Sequence, residues 1–179
     1  MEEGKHRTTI KDVAQCAGIS VATVSAVLNK TRFVSDELAE RALKAARKLD
    51  YYPNRLARGL KIGKTHTVAY IVPNISNLFF ARVAKGVQNV LQEDSYTVSL
   101  HDTDFSEKKL FHHLTVIIGN RVDGIIMSAW HSPGVKEAIS LVQNMNIPLV
   151  IVYSPRDQEK VDSILIDDEE GGYLSLIHI

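Results

Sequence analysis

The stretch TIKDVAQCAGISVATVSAVLNK, residues 9–30, decides how the front of the chain folds. Thr9 can cap a helix, and Asp12 follows three residues later, the spacing of a capping box. Ile10, Val13, Ala14 and Ala17 then recur at i, i+3, i+4 and i+7, one face of a helix. Gly18 is free to adopt the positive φ that ends such a helix. Ser20 caps a second helix with Val24, Val27 and Leu28 on its inner face, and Asn29-Lys30 closes it. Two helices joined by so short a glycine-containing turn predict a helix-turn-helix.

Working outward, Ser35 caps a third helix, with Asp36 and Glu37 in its first turn beside the positive dipole end. Its apolar stripe is Leu38, Ala42, Ala45 and Leu49, and Pro53 cannot continue it. The outer side of the second helix is expected to carry Val21, Ala22, Thr23, Ser25 and Ala26, where solubility alone would favour Lys and Glu. Small side chains there would let the backbone approach a duplex closely, with the helix N-terminus toward base edges. Short three-helix bundles serve other purposes too, so shape alone leaves the function open. The segment NRLARGLK, residues 54–61, lies between Pro53 and Gly63 and is too short for a stable isolated helix. It reads as a hinge that orders on docking.

From Thr67 the pattern changes. Strands are expected at 68–72, 97–101, 124–127 and 148–153, alternating with helices at 79–94, 106–120 and 134–145. Apolar strands alternating with amphipathic helices predict a parallel α/β sheet. Ligands bind such sheets at the strand-to-helix loops of the carboxyl edge, here Pro73–Leu78, Asp102–Ser106, Ser128–Pro133 and Tyr153–Gln158. No GxGxxG follows the first strand, which weakens a dinucleotide reading.

Charge divides in the same way. Residues 1–66 hold 13 Lys and Arg against 7 Asp and Glu, whereas residues 67–179 hold 8 against 14. A basic front on an acidic body suits a polyanion-binding module attached to a different task. The single cysteine, Cys16, excludes an internal disulfide framework and is expected to be a small buried hydrophobe. No signal peptide and no membrane-spanning run is read, so a soluble, cytoplasmic chain without membrane contact is expected.

The segment TIKDVAQCAGISVATVSAVLNKTRFVSDE resembles the head of the LacI/GalR family of lactose and purine repressors. The similarity continues through YYPNRLARGLKIGKT, VPNISNLFFARVAKGV, NRVDGIIM and DSILIDDEEGGY, in order and with matching spacing. The resemblance implies a transcriptional regulator, a homodimer on a pseudo-palindromic double-stranded operator, controlled by a small-molecule effector such as a sugar or a nucleobase. Val21 and Ala22 match base-facing positions; Thr9, Ser20, Thr23, Ser25 and Asn29 match phosphate or cap positions. Arg32 matches an arginine that contacts guanine in the purine repressors, a pairing worth about 1–3 kcal/mol of discrimination. Ala26 stands where many relatives carry Arg or His, and alanine can only touch a thymine methyl or leave the base unread.

The hinge carries over as a minor-groove element. Leu60 matches a wedge leucine inserted at a base step, Ala57 the small residue beneath it, and Lys61 and Asn54 lie with them against DNA. On the sensing side Phe79 and Phe80 match an aromatic pair bordering the ligand cleft, although one of the two is expected to be core. Asp102, Ser128 and Tyr153 lie at cleft-facing loops, as does Trp130, which could equally serve a dimer interface. Leu78 replaces a frequent proline at that first loop.

The expected fold is therefore an all-α helix-turn-helix DNA-binding head (1–53) and a hinge helix with linker (54–66). The rest (67–179) is expected to be the first lobe of a periplasmic-binding-protein-like, parallel-sheet α/β sensing domain. The family pattern implies a second lobe; the closing LSLIHI, residues 174–179, departs from it and reads as a truncated or foreign end. Enzyme readings are thin, and neither cofactor nor metal is expected. His112 and His113 point about 100° apart on a helix and read as surface residues, while Asp167 to Glu170 load a helix N-terminus. The competing classes are a sugar-binding or transport receptor, opposed by the basic head and absent leader, and a flavodoxin-like enzyme, which a bound cofactor absorbing in the visible would favour. Leu60→Ala should weaken operator binding and abolish the DNA bend, and an unchanged bend in a circular-permutation gel assay would refute the wedge role.

Overall fold

In the computed structural model α1 (Ile10–Ala17), α2 (Val21–Asn29) and α3 (Asp36–Lys48) follow one another as the spacing predicts. The structure describes residues 8–53, 59, 63–152, 161–167 and 173. It divides into two units, Met1–Ala57 and Arg58–Ile179. In the first unit Oδ2 of Asp12 accepts from the Thr9 backbone N–H and from the Thr9 hydroxyl, both at 2.8 Å. Gly18 ends α1 at φ 63°, and Lys30 ends α2 in the same left-handed region at φ 51°. Ser35 precedes α3, but its side chain makes no capping bond.

Val13, Ala14, Ala17, Val24, Ala42, Ala45 and Ala46 form the core of this unit, flanked by Ile10, Ile19, Val27, Leu28, Leu49 and Tyr51. Five of the seven are alanines, all on α1 and α3, which lets these two helices approach closely, because each adds little thickness between the axes. Cys16 is exposed, against expectation. The buried stripe of α1 is Val13, Ala14 and Ala17, and Cys16 lies off it.

The second unit is a five-stranded parallel sheet in the order β2-β1-β3-β4-β5. Its elements are β1 (Thr67–Val72), α4 (Leu78–Glu93), β2 (Thr97–Asp102), α5 (Glu107–Gly119), β3 (Gly124–Ser128), α6 (Pro133–Asn144), β4 (Leu149–Val152) and β5 (Asp162–Ile164). Register runs Thr67↔Thr97 into β2 and Val68↔Gly124 into β3. Strand β5 has no counterpart in the sequence expectations. It is three residues long and exposed throughout, so it carries no apolar run by which to find it.

Alternation along β1 divides the core between the two sheet faces. Ala69 and Ile71 join Leu110, Leu114 and Ile117 of α5 and Val135, Ala138 and Val142 of α6. Tyr70 and Val72 turn the other way and pack with Phe80 of α4. Glu107 of α5 accepts from the Ser132 hydroxyl and, at 2.9 Å, from the Gly134 N–H, supplying the acceptor that α6 needs at its first turn. A Cβ at Gly134 would lie 2.5 Å from the Glu107 carboxyl carbon, so the carboxylate occupies the space a side chain would need.

Asp123 fixes the entry to β1. It accepts from the backbone N–H groups of Thr65 at 2.8 Å and His66 at 2.9 Å, and from the Thr65 hydroxyl at 3.1 Å. Burial pushes this carboxyl up, but the bonds from Thr65, His66 and Tyr96 outweigh it and hold it below its ordinary 3.8. A depressed carboxyl stabilises the fold above its unfolded value, and that contribution fades as pH falls through the native value. Asp123→Asn should therefore destabilise this unit by about 2 kcal/mol at neutral pH and flatten its acid dependence. Urea unfolding followed by the fluorescence of the sole tryptophan, Trp130, at neutral and strongly acidic pH would check this.

Candidate nucleic-acid interface and ligand edge

Axes of α1 and α2 meet at a bend of 106°, within the range of a helix-turn-helix. Arg41 of α3 holds the corner. Its Nε and Nη2 donate to the Ala17 carbonyl at 3.2 and 2.8 Å, and Nη2 also donates to the Gly18 carbonyl at 3.2 Å. These acceptors are α1 C-terminal carbonyls that the helix leaves without partners. A Cβ on Gly18 would come within 3.0 Å of the same Nη2, in addition to the strain of its positive φ. Nothing in the sequence pattern singled out Arg41; only its partners, 23 and 24 residues away, reveal it. The exposed Glu37–Arg41 pair at 3.9 Å adds little.

With the corner fixed, α2 presents its N-terminal turn. Ser20 Oγ accepts from the Thr23 N–H at 3.1 Å and lies 2.8 Å from the Thr23 hydroxyl. Val21 and Ala22 are exposed and Thr23 half-buried. Ala26 corrects the expected outer face. It is 3% exposed, and the chain turns back at Lys30, where the Thr31 N–H meets the Ala26 carbonyl at 3.2 Å. Ser25 is half-buried, and Asn29 folds onto its own helix, donating to the Ser25 carbonyl at 2.9 Å. Lys11, Lys30 and Arg32 are exposed. The hinge residues Asn54, Ala57, Leu60 and Lys61 lie outside the described residues, as does Tyr153.

In the second unit the strand order reverses direction at β1, whose neighbours are β2 and β3. The crevice outside the carboxyl ends of β1 and β3 is the place such a sheet offers a ligand. Phe79 is half-buried and meets Phe80 edge-on at 5.2 Å. Phe80, at 7% exposure, belongs to the core with Tyr70 and Val72 and does not face a cleft. Ser128 is also corrected: it is fully buried, and its hydroxyl lies 2.7 Å from that of Tyr70. Burial raises the Tyr70 phenol above its ordinary value, countered by this bond.

The Asp102 carboxylate serves the backbone, accepting from Ile75 N–H at 3.1 Å and Asp104 N–H at 3.2 Å. Sequence reasoning missed Phe105. It is exposed at this edge, its N–H bonded to the Pro73 carbonyl at 3.1 Å, and its ring meets Trp130 edge-on at 6.0 Å. Phe105 has φ 55°, a conformation that the apolar pattern does not signal. His112 is exposed as expected, but His113 is not a free surface residue, since its Nε2 meets the Asp102 carbonyl at 3.0 Å. No single helix among the described residues is long and apolar enough to cross a membrane.

Residues 9–54 match the model of bacterial regulatory proteins of the lacI family, and residues 68–176 match that of the periplasmic binding protein domain. The chain belongs to the lacI family. Its α/β unit is of the periplasmic-binding-protein type. It is 37% identical over 172 residues to the HTH-type transcriptional repressor PurR of Aliivibrio fischeri strain MJ11, covering 96% of this chain and 50% of that protein. Among solved structures, a LacI-family transcriptional regulator from Silicibacter pomeroyi matches with TM-score 0.75 and 31% identity, over 92% of this chain and 49% of that one. The lac repressor dimer bound to operator and the anti-inducer ONPF matches with TM-score 0.74 over 96% of this chain and 52% of that one. At 23% identity, it shares the fold. This lacI-family chain spans about half the length of the curated relatives it matches.

Arg41→Ala should cost the head about 1–2 kcal/mol, since two helix-end carbonyls lose a charged donor. Ser20→Ala should cost about 1 kcal/mol. Thermal melts of the two variants would show both losses.

Proposed function

We propose that the complete protein is a sequence-specific DNA-binding transcriptional regulator, a repressor whose operator affinity is set by a small-molecule effector. One observation carries this reading: the first turn of α2 stands exposed and free of bulk, with Val21 and Ala22 outermost, on a corner braced by Arg41. A major groove admits such a helix, and small side chains allow close approach of its backbone. Val21 and Ala22 then face base edges. Ser20 and Thr23 approach phosphates, and Thr9, Ser25 and Asn29 hold the helices that carry them. Arg32 addresses a guanine. Buried Ala26 reads nothing directly in this scheme.

The segment 54–66 is the linker in this reading, with Leu60 as the wedge, Ala57 beneath it and Asn54 and Lys61 against the backbone. Two copies act together on a pseudo-palindrome, as two recognition helices one DNA turn apart require. Such a role belongs to the cytoplasm. The effector, a sugar or nucleobase, docks at the carboxyl edge of β1 and β3 in the complete protein. Phe79, Phe105 and Trp130 supply aromatic surface there, with Asp102 and Tyr153 at the bordering loops.

In vitro selection of duplexes by the full-length protein should enrich a two-fold symmetric site. Binding should weaken linearly in log K against log salt as counterions are released. Arg32→Ala should relax one guanine position by about 1–3 kcal/mol and leave the others intact. Failure to enrich any duplex even at low salt would sink the proposal.

A further inference from the structure

Histidines 101 and 113 meet outside the groups used above. His101 stands on β2, one of the sheet's two edge strands, and His113 on α5; their ring centroids are 5.2 Å apart. Each ring has its outer nitrogen engaged. Nε2 of His113 lies 3.0 Å from the Asp102 backbone carbonyl, which can only accept, so that nitrogen carries the proton. In neutral His113 the Nδ1 is therefore a bare lone pair. Nε2 of His101 lies 3.2 Å from the Ser99 hydroxyl, which can accept from it in the same way.

The two Nδ1 atoms face each other at 3.5 Å. That is long for a hydrogen bond between ring nitrogens. It is close to the separation of about 3.4 Å between two nitrogens each about 2.1 Å from one tetrahedral zinc. Ligating imidazoles commonly donate their second N–H to a carbonyl or other acceptor, which fixes tautomer and ring orientation. Both rings have such a partner.

We propose that His101 and His113 form a two-histidine site for a late divalent transition metal, of the Zn²⁺ or Ni²⁺ kind, bound through both Nδ1 atoms. Imidazole suits these ions. Among the described residues no group of three or more His, Cys, Asp or Glu could hold a metal, so the remaining positions belong to solvent or a small chelating molecule. The carboxylate of Asp102, next to His101 in the chain, is turned to Ile75 and Asp104. Burial, and then the neighbouring His113, hold His101 below the ordinary imidazole value. Bound metal would tie the edge strand to α5. Neither ring's partner is legible from the sequence, where His112 rather than His101 is the neighbour of His113.

Calorimetric titration of Zn²⁺ into the metal-free, tag-free full-length chain should give one saturable site. His101→Ala and His113→Ala should each abolish it, and His112→Ala should retain it. Ser99→Ala, which removes only the partner of His101, should weaken it by about 10–100-fold. Long-range ¹H–¹⁵N spectra of the wild-type chain need no substitution: zinc should shift both Nδ1 resonances while both Nε2 stay protonated. Absence of saturable binding, equal binding by the double alanine variant, or loss of the Nε2 protons on zinc addition would overturn the site.

Discussion

The head depends on how its corner is held. Gly18 reverses the chain at φ 63°, and the Arg41 guanidinium ties the carbonyls on either side of that reversal to α3. Helix ends leave acceptors that water would otherwise solvate; a planar cation with several donors can satisfy two of them at once. With a core made largely of alanine, little side-chain bulk is available to fix the angle between α1 and α2. The polar clamp and the glycine therefore set a direction that packing alone would define loosely. Only because α2 leaves the bundle at 106° can its first turn stand clear of the other helices.

A comparable constraint operates in the α/β unit. The carboxyl edge is tied together by short polar contacts from one strand end to the next loop: Asp102 to Ile75 and Asp104, the Thr103 hydroxyl to the Val72 carbonyl at 3.1 Å, and Phe105 to Pro73. At the opposite edge Asp123 gathers Thr65 and His66. Each of these bonds positions backbone, whereas the buried Nδ1 of His66 has no hydrogen-bond partner. Loops so held can present aromatic rings without a long ordering penalty.

Much of this was legible from spacing. Caps at Thr9 and Ser20, the Gly18 stop and the βα alternation all follow from local rules, and the elements appear close to where those rules put them. Burial was harder. Ala26, Phe80 and Ser128 look like surface or cleft residues by position, yet each is buried. Alanine and serine carry too little hydropathy to announce which side they face, and an aromatic at a helix start suits either. Arg41 and the His101–His113 pair depend on contacts between separate elements, for which a single sequence holds no period. Strand β5 was too short to show one.

The order of strands bears on how the chain acquires its shape. In the head, helices next to each other in sequence are also neighbours in space, so loop closure is short and assembly can be fast. The sheet is different: Val68 must wait for Gly124, more than fifty residues later, before its central pairing exists. During synthesis, the emerging N-terminal bundle can collapse while β1 still has only half of its neighbours. Nascent β1, with Tyr70, Ile71 and Val72 all destined for burial, is therefore the segment most in need of protection on the ribosome.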